Sequence, residues 1–264
     1  MIGINNTKSL NVSEKSRGII AFAFNTDTTD YVSIAEKTLQ LASYTTGLPY
    51  TLITDTTDTL ENTRYDTDTN QFVQWRNAGR CQAYDLSPYD ETLLIDIDYL
   101  LVDNSIMQSF DVDWDYCLMR NVNAITETFP ICMGAHSLPY VWATVFGFRK
   151  TAKTKMFMDL VRRIQNNYGY YKALFNVEQG NYRNDYAFAM ADIILNGYQV
   201  QTTGFPGVLQ HVNQKINSIE LKDNKFIIRD DSRAYILPKM NLHIMSKSYL
   251  QSDNFTQLID NVTA

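Results

Sequence analysis

The chain has 264 residues, 45% of them hydrophobic and 20% charged, with a formal net charge of −6. That is enough apolar material for one large domain or two small ones, and it excludes a disordered chain. No apolar run reaches the ~18 residues of a membrane span, and Met1 to Arg17 lacks the apolar stretch of a signal peptide, so a cytoplasmic protein is expected.

Residues 1–16 read as a flexible or peripheral segment. Gly18 to Phe24 (GIIAFAF) is a short apolar run and predicts a buried strand. A polar turn follows, ending in Asp30, which predicts the N-cap of a helix over Tyr31 to Tyr44. Val32, Ala35, Leu39 and Ala42 fall on one face of that helix, and Gly47 supplies a stop. Pro49 to Thr54 predicts a second strand. Strand–helix–strand implies parallel pairing with a right-handed crossover. Asp55 to Asn70, rich in Thr and Asp, reads as a loop. Gln71 to Tyr84 reads as a helix with Arg76 and Arg80 on one face.

Leu93 to Val102 (LLIDIDYLLV) is apolar on both sides of two carboxylates. Such a run predicts a central strand covered on both faces, continuing past the acidic pair. Asp almost never enters such a core unless it is paired or on a metal. In a strand, residues i and i+2 share a face, so Asp96 and Asp98 are expected to project together about 7 Å apart. One divalent cation fits between them, directly or through water, and hard oxygen ligands suit Mg²⁺ or Mn²⁺. A cation so held neutralises the charge of a diphosphate. The competing reading of an isolated D-x-D is a strand end entering a turn. The strongly apolar flanks and the segments that follow favour the metal.

Tyr116 to Met119 predicts a strand, and Asn121 to Leu138, with Pro130 and Gly134, a flexible loop. Val141 to Phe148 predicts a strand and Thr151 to Tyr168 an amphipathic helix. Asn184 or Asp185 predicts the cap of a helix that runs through Leu195 and stops at Gly197. Short strands and loops follow, closing with Leu242 to Lys247. Cys81, Cys117 and Cys132 lack C-x-x-C spacing and read as reduced and structural. Charge is uneven. Residues 1–140 hold 8 Lys+Arg against 19 Asp+Glu, or −11, and residues 141–264 hold 15 against 10, or +5. Lys150, Lys153, Lys155, Arg162 and Arg163 read as a solvated helix face or as a surface for an anionic partner.

Alternating strands and helices, with a D-x-D at the end of a buried strand, resemble the nucleotide-sugar glycosyltransferases of the GT-A fold. The resemblance implies a single α/β domain with a Rossmann-like, mostly parallel sheet flanked by helices. Residues 17–140 would form its nucleotide-binding half and 141–250 its acceptor-binding half. Asn25 and Thr26 would receive the nucleotide and Asp55 its base or ribose. Arg76 and Arg80 precede the D-x-D and would meet the diphosphate. Ala143 to Arg149 looks like the strand that passes under the sugar, and Arg183 to Phe188 like the acidic helix start on the acceptor side. His243-Ile244-Met245-Ser246-Lys247 resembles the C-terminal segment of glycogenin-like retaining enzymes, in which the His completes the metal site and the Lys contacts the diphosphate. The spacing here is four where that group has six, and Tyr249 follows where it has Pro-Trp.

By that resemblance the chain is a metal-dependent transferase that moves a hexose from a UDP-sugar, with Asp96, Asp98 and His243 on Mn²⁺ or Mg²⁺ and with retention. Asp185, beside Asn184, would be a general base in an inverting reaction or a transition-state stabiliser in a retaining one. A nucleotidyltransferase also uses carboxylate-bound Mg²⁺, but that class carries an early Gly-rich loop and residues 18–30 contain only Gly18. A non-catalytic nucleotide- or sugar-binding module is the third alternative. Richness in Asn, Thr, Asp and Tyr is similar to bacteriophage glycosyltransferases, some of which modify hydroxymethylated bases in phage DNA. That implies residence in a host cytoplasm. It also sets a DNA acceptor, met through the basic residues above, beside a glycan, protein or small-molecule acceptor.

Overall fold

The computed structural model describes residues 15–56, 58–66, 68–125, 132–133, 138–178, 180–199 and 204–263. The first apolar run forms β1 (Arg17–Phe22). It leads through α1 (Tyr31–Thr46) to β2 (Tyr50–Ile53), the expected parallel unit. Asp30 caps α1 by accepting from the Ser33 N–H, and Gly47 ends it at φ 72°, a conformation that costs a side-chain-bearing residue more. A hairpin follows, β3 (Thr59–Asp66) with β4 (Gln71–Ala78). A 3₁₀ turn (Arg80–Gln82) and the short helix α2 (Ala83–Leu86) lead into β5 (Glu91–Ile95) and then β6 (Tyr99–Leu100). Next come a 3₁₀ segment (Asn104–Asp111), β7 (Tyr116–Met119), β8 (Val122–Ala124), β9 (Cys132–Met133), β10 (Leu138–Pro139) and β11 (Trp142–Arg149). Helices α3 (Ala152–Asn166), α4 (Tyr168–Leu174) and α5 (Asn184–Leu195) precede β12 (Leu209–Val212). The chain closes with the meander β13 (Ser218–Lys222), β14 (Lys225–Arg229) and β15 (Ala234–Pro238), then β16 (Leu242–Ile244), α6 (Lys247–Leu250) and α7 (Asp253–Thr263).

The main sheet has the order β2-β1-β5-β11-β7. Four strands run one way and β11 runs against them. Alternate residues of these strands feed two apolar layers. Ile19, Leu93, Ile95 and Val145 pack with Ile34, Ala35 and Leu39 of α1, whereas Ile20, Leu94, Phe146 and Phe148 pack with Phe157 and Val161 of α3 and Phe188 of α5. Each of the Ile, Leu, Val and Phe side chains, fully buried, contributes about 1.5–3 kcal/mol. Helices on both faces of a mostly parallel sheet are the α/β class that the sequence implies.

Arg17, Glu91 and Arg149 stand in register on β1, β5 and β11. Glu91 accepts from Arg17 Nε at 2.8 Å and from Arg149 Nε at 2.8 Å, and Arg149 also donates to the carbonyls of Phe110, Val112 and Trp114. Burial pushes the Glu91 pKa up, but hydrogen bonds from the two arginines outweigh it and leave the carboxyl below its ordinary value.

A second sheet, β6-β16-β12-β8, stands beside the first. β8, β12 and β16 are parallel and β6 is antiparallel to β16. The chain crosses between the two sheets at the D-x-D. This corrects the expected continuous strand: β5 ends at Ile95, the Asp96 N–H donates to the Thr144 carbonyl, and the Tyr99 N–H donates to the Asp96 carbonyl, closing a turn. A run apolar at both ends satisfies burial equally well when its ends lie in two sheets.

Three further expectations are revised. Residues 59–78 form a hairpin paired from Thr59↔Ala78 to Asp66↔Gln71, not a loop and a helix. Apolar and polar residues are mixed on both faces, with Leu60, Val73 and Trp75 on one and Phe72 on the other, so neither period stands out. Neither Asn184 nor Asp185 caps α5: Arg183 holds that position without a side-chain cap. The predicted 151–168 helix breaks at Asn167 into α3 and α4. Of the predicted loop at 121–138, residues 126–131 and 134–137 lie outside the described residues, as do residues 1–14. Cys81 and Cys117 are buried and unbridged. Among the described residues, no helix is long and apolar enough to cross a membrane.

Candidate active site

The carboxyl ends of β1 and β5, the start of β11 and the first turn of α5 open onto a cavity of about 470 Å³. Phe22 to Phe24, Asp96 to Asp98, Trp142 to Thr144 and Asn181 to Asp185 line it, and the β3–β4 hairpin adds Leu60, Asn62, Trp75 and Arg76. The hairpin is tied across the site at its tip. Asp68 accepts from the Ser246 hydroxyl and the Ser248 N–H, both at 2.7 Å, on either side of Lys247.

On the cavity floor, one ligand atom from each of Asp96, Asp98 and His243 lies within 4.8 Å of the others. Arg80, buried in the 3₁₀ turn, ion-pairs with Asp96 and donates to the Ala143 carbonyl. The Thr144 hydroxyl donates to Asp96 Oδ2 at 2.9 Å. Asp98 meets His243 Nε2 through Oδ1 at 3.2 Å and accepts from Lys247 Nζ through Oδ2 at 2.5 Å. Burial alone would raise the Asp98 pKa; Lys247 and His243 outweigh it and hold the carboxyl well below the usual carboxylate range. Burial lowers the Arg80 pKa against the opposing pull of Asp185 and Asp98, and a guanidinium stays charged regardless.

Strand register delivers His243. It pairs with Tyr99 across β6 and with His211 across β12, and the Ile244 N–H donates to the Asp98 carbonyl. Trp142 Nε1–H donates to His243 Nδ1 at 3.2 Å, and His211 Nδ1 lies 2.9 Å from the same atom. An indole N–H only donates. With that donor in place, a neutral ring keeps its proton on Nε2; to ligate a metal through Nε2, His243 must instead carry the proton on Nδ1, where His211 Nδ1 at 2.9 Å would accept it. Burial, with His243 as neighbour, pushes His211 down to about 2, so it is a neutral ring.

On the other wall, Asp185 accepts from the Ala143 N–H at 2.8 Å through Oδ1, and from Arg183 Nε and Nη2 at 3.1 and 2.8 Å through Oδ2. Asp185 in turn raises the Arg183 pKa. Asn184 Oδ1 accepts from the Tyr182 hydroxyl.

The structure thus brings Asp96, Asp98, His243, Arg76, Arg80, Lys247, Asn184 and Asp185 to one cavity. Arg76 and Arg80 arrive from a strand and a 3₁₀ turn, with Arg76 over the Phe24 ring. Asn25, Thr26 and Asp55 are not among the lining residues. Asn25 Oδ1 accepts from the Val32 N–H and Thr26 Oγ1 from the Thr29 N–H, shaping the loop before α1, while Asp55 is exposed past β2. The basic residues beside α3 have their own partners. Lys150 donates to the Ser87 carbonyl, Lys155 pairs with Asp159 and Arg162 with Asp85, and Lys153 sits over the Tyr116 ring. Arg163 borders a separate groove with Tyr170 and Tyr171. His211, Thr144 and Asp68 complete the site and were not singled out by sequence. No local pattern marks any of the three: His211 lies in Leu209-Gln210-His211-Val212, half of which is polar.

Two carboxylates and an imidazole are a donor set that suits Mn²⁺ or Mg²⁺, with the nitrogen favouring Mn²⁺. Each carboxylate oxygen that accepts one hydrogen bond keeps a second lone pair, and the ionised state of Asp98 is the ligating one. The residues present fit such a cation.

No protein-family model matches the chain, and no curated protein matches it in sequence. Among solved structures it is similar to a glycosyltransferase involved in the glycosylation of the major capsid of PBCV-1 (TM-score 0.37, 13% identity, 75% of this chain and 81% of that one). It is similar also to the apo-form glycosyltransferase GlyE of Streptococcus pneumoniae (TM-score 0.36, 13% identity, 69% of this chain and 44% of that one). A third is the inositol-1-phosphate CTP transferase of T. maritima (TM-score 0.35, 8% identity, 94% of this chain and 96% of that one). The chain spans less than half of the pneumococcal protein, and at these identities and scores the chemistry rests on the residues of this chain alone.

Proposed function

We propose that this chain is a metal-dependent glycosyltransferase that moves a hexose from a UDP-sugar to an acceptor hydroxyl, with retention. The observation that carries this reading is the convergence of Asp96, Asp98, His243, Arg80 and Lys247 on one cavity floor at the carboxyl ends of β1 and β5. In open α/β sheets, ligands bind beyond those ends.

Asp96, Asp98 and His243 would hold Mn²⁺ or Mg²⁺, which when bound supplies positive charge against the departing diphosphate. Arg80 and Arg76 add fixed positive charge to the same group. Phe24 and Arg76 are better placed for the nucleoside than Asn25, Thr26 or Asp55, since both line the cavity. Asp185 and Asn184 border the sugar. Inversion needs a carboxylate base within reach of the acceptor hydroxyl. Both Asp185 oxygens instead accept N–H bonds, from Ala143 and Arg183, which supports an anchoring and electrostatic role and a retaining course.

The acceptor is read as a glycan, protein or small molecule in preference to DNA. Two of the five cations expected to meet phosphates have carboxylate partners, in Lys155–Asp159 and Arg162–Asp85, and the Lys150 ammonium is held on the Ser87 carbonyl.

The test is release of UDP from UDP-hexoses in Mn²⁺, expected to stop on chelation and in Asp96→Asn. Pyrophosphate release from UTP and a sugar phosphate, without UDP-hexose turnover, would mark a nucleotidyltransferase. Tight UDP binding without either turnover would mark a binding module.

A further inference from the structure

We infer that Lys247 is an internal counter-cation that occupies Asp98 until a nucleotide diphosphate arrives, so that metal and nucleotide bind in concert. The inference rests on the metal-centre reading of Asp96, Asp98 and His243. Lys247 is buried at the start of α6, and its Nζ lies 2.5 Å from Asp98 Oδ2, 3.2 Å from the Met245 carbonyl and 3.4 Å from the Ile244 carbonyl. An ammonium has three N–H donors, and here each has an acceptor. This is a cation stowed against a carboxylate at the edge of the cavity it lines.

The charge count gives the arrangement its consequence. Arg80 offsets Asp96 and Lys247 offsets Asp98, so these four charged side chains sum to zero. A divalent cation entering alone would leave two excess positive charges in a buried pocket, which is strongly unfavourable. A nucleoside diphosphate brings two or three negative charges and cancels them. Asp98 Oδ2 can then turn to the metal while the ammonium turns to a phosphate. The motion needed is confined to one side chain. Asp68 pins Ser246 and Ser248 on either side of Lys247, while the flexible four-carbon stem lets Nζ move between partners. Coupling of this kind is reciprocal, so the metal raises nucleotide affinity by the same factor by which the nucleotide raises metal affinity.

The experiment is Mn²⁺ binding to the full chain, read from the electron paramagnetic resonance signal of free Mn²⁺, with and without UDP. In the wild type, UDP is expected to tighten Mn²⁺ binding by about 10- to 100-fold, within the usual range of coupling. Lys247→Gln removes the competing cation. It is expected to bind Mn²⁺ about 10-fold more tightly than wild type when UDP is absent, and to show a smaller UDP effect. Lys247→Met serves as a second uncharged variant should the first fold poorly, and the wild-type UDP effect stands independently of both. Equal wild-type affinity with and without UDP overturns the inference, as does unchanged or weaker UDP-free binding in the variants. Failure of the wild type to bind Mn²⁺ even with UDP overturns the metal-centre reading itself, and the inference with it.

Discussion

Tyr99 and His243 are direct partners across β6 and β16, and that register sets an imidazole nitrogen 3.2 Å from the carboxylate one residue before Tyr99. His211 is the partner of His243 on the opposite side, so the imidazole is held between two strands. His243→Ala is expected to weaken Mn²⁺ binding in the presence of UDP by about 10-fold or more. His211→Phe, which keeps a ring but deletes Nδ1, is expected to weaken it by about 10-fold, in line with the loss of partners that orient metal ligands. A metal titration of UDP-sugar hydrolysis checks both, with a thermal melt to exclude a folding defect. Unmoved curves would assign both rings to packing.

Asp96→Asn and Asp98→Asn are each expected to lower transfer by about 10²-fold or more, the scale for losing a preorganised electrostatic group. Circular dichroism should report an intact fold. Near-wild-type turnover at saturating Mn²⁺ would remove these residues from the site.

Glu91 links stability to pH. Its folded pKa lies below the ordinary value, so its contribution is complete above about pH 4.3, the usual value for Glu, and fades as pH falls through the lower folded pKa. Glu91→Gln leaves Arg17 and Arg149 without a buried counter-charge and is expected to cost about 3 kcal/mol at pH 7. Urea denaturation at pH 7 and pH 3.5 checks this. The variant should start less stable and lose less on acidification, and parallel curves would contradict the assignment.

Asp68 offers a test of the hairpin's part in donor binding. Asp68→Ala deletes two bonds that tie the hairpin to the segment bearing Lys247. The KM for UDP-sugar is expected to rise about 3- to 10-fold, the equivalent of up to about 1.4 kcal/mol. Cleavage by a protease in the hairpin turn should accelerate in parallel. A KM equal to wild type would place the hairpin outside donor binding.

Charge pairing beside α3 predicts no salt-sensitive binding of duplex DNA. Each phosphate contact would contribute a log–log slope near −0.9. Anisotropy between about 50 and 200 mM salt should be flat for unmodified and hydroxymethylated DNA, because that range reveals such contacts most clearly. Binding that falls with salt, and disappears in Lys150→Glu, Lys153→Glu, Lys155→Glu, would restore DNA as the acceptor.

What the sequence made legible was local. β1, α1 and β2 could be read because an apolar run, an Asp cap and a Gly stop all sit within about 35 residues. The D-x-D stood out because two carboxylates in an apolar run demand partners. The hairpin was hidden because apolar residues such as Leu60, Phe72, Val73 and Trp75 are scattered over both of its faces, which leaves no clean apolar period. The turn at Asp96-Ile97-Asp98 was hidden because burial in one sheet and burial in two give the same pattern. His211 enters the site only through the register of β12 on β16, a contact between distant segments that no local spacing encodes. Arg149 closes a predicted strand, but nothing in its local sequence shows that it is half-buried against Glu91 and three carbonyls.

The crossing of the chain between sheets at the D-x-D also dictates an order of assembly. Asp96 belongs to the first sheet through Thr144, whereas Asp98 is secured by β16 and Lys247, which are synthesised much later. At a translation rate of roughly 5–20 residues per second, the 149 residues between them mean that Asp98 waits about 7–30 s for its cationic partner. Until then, burying it would strand an ionised carboxylate, so β6 cannot dock ahead of the C-terminal segment. A nascent chain can build the first sheet early, but the metal ligands come together only when the last strands arrive.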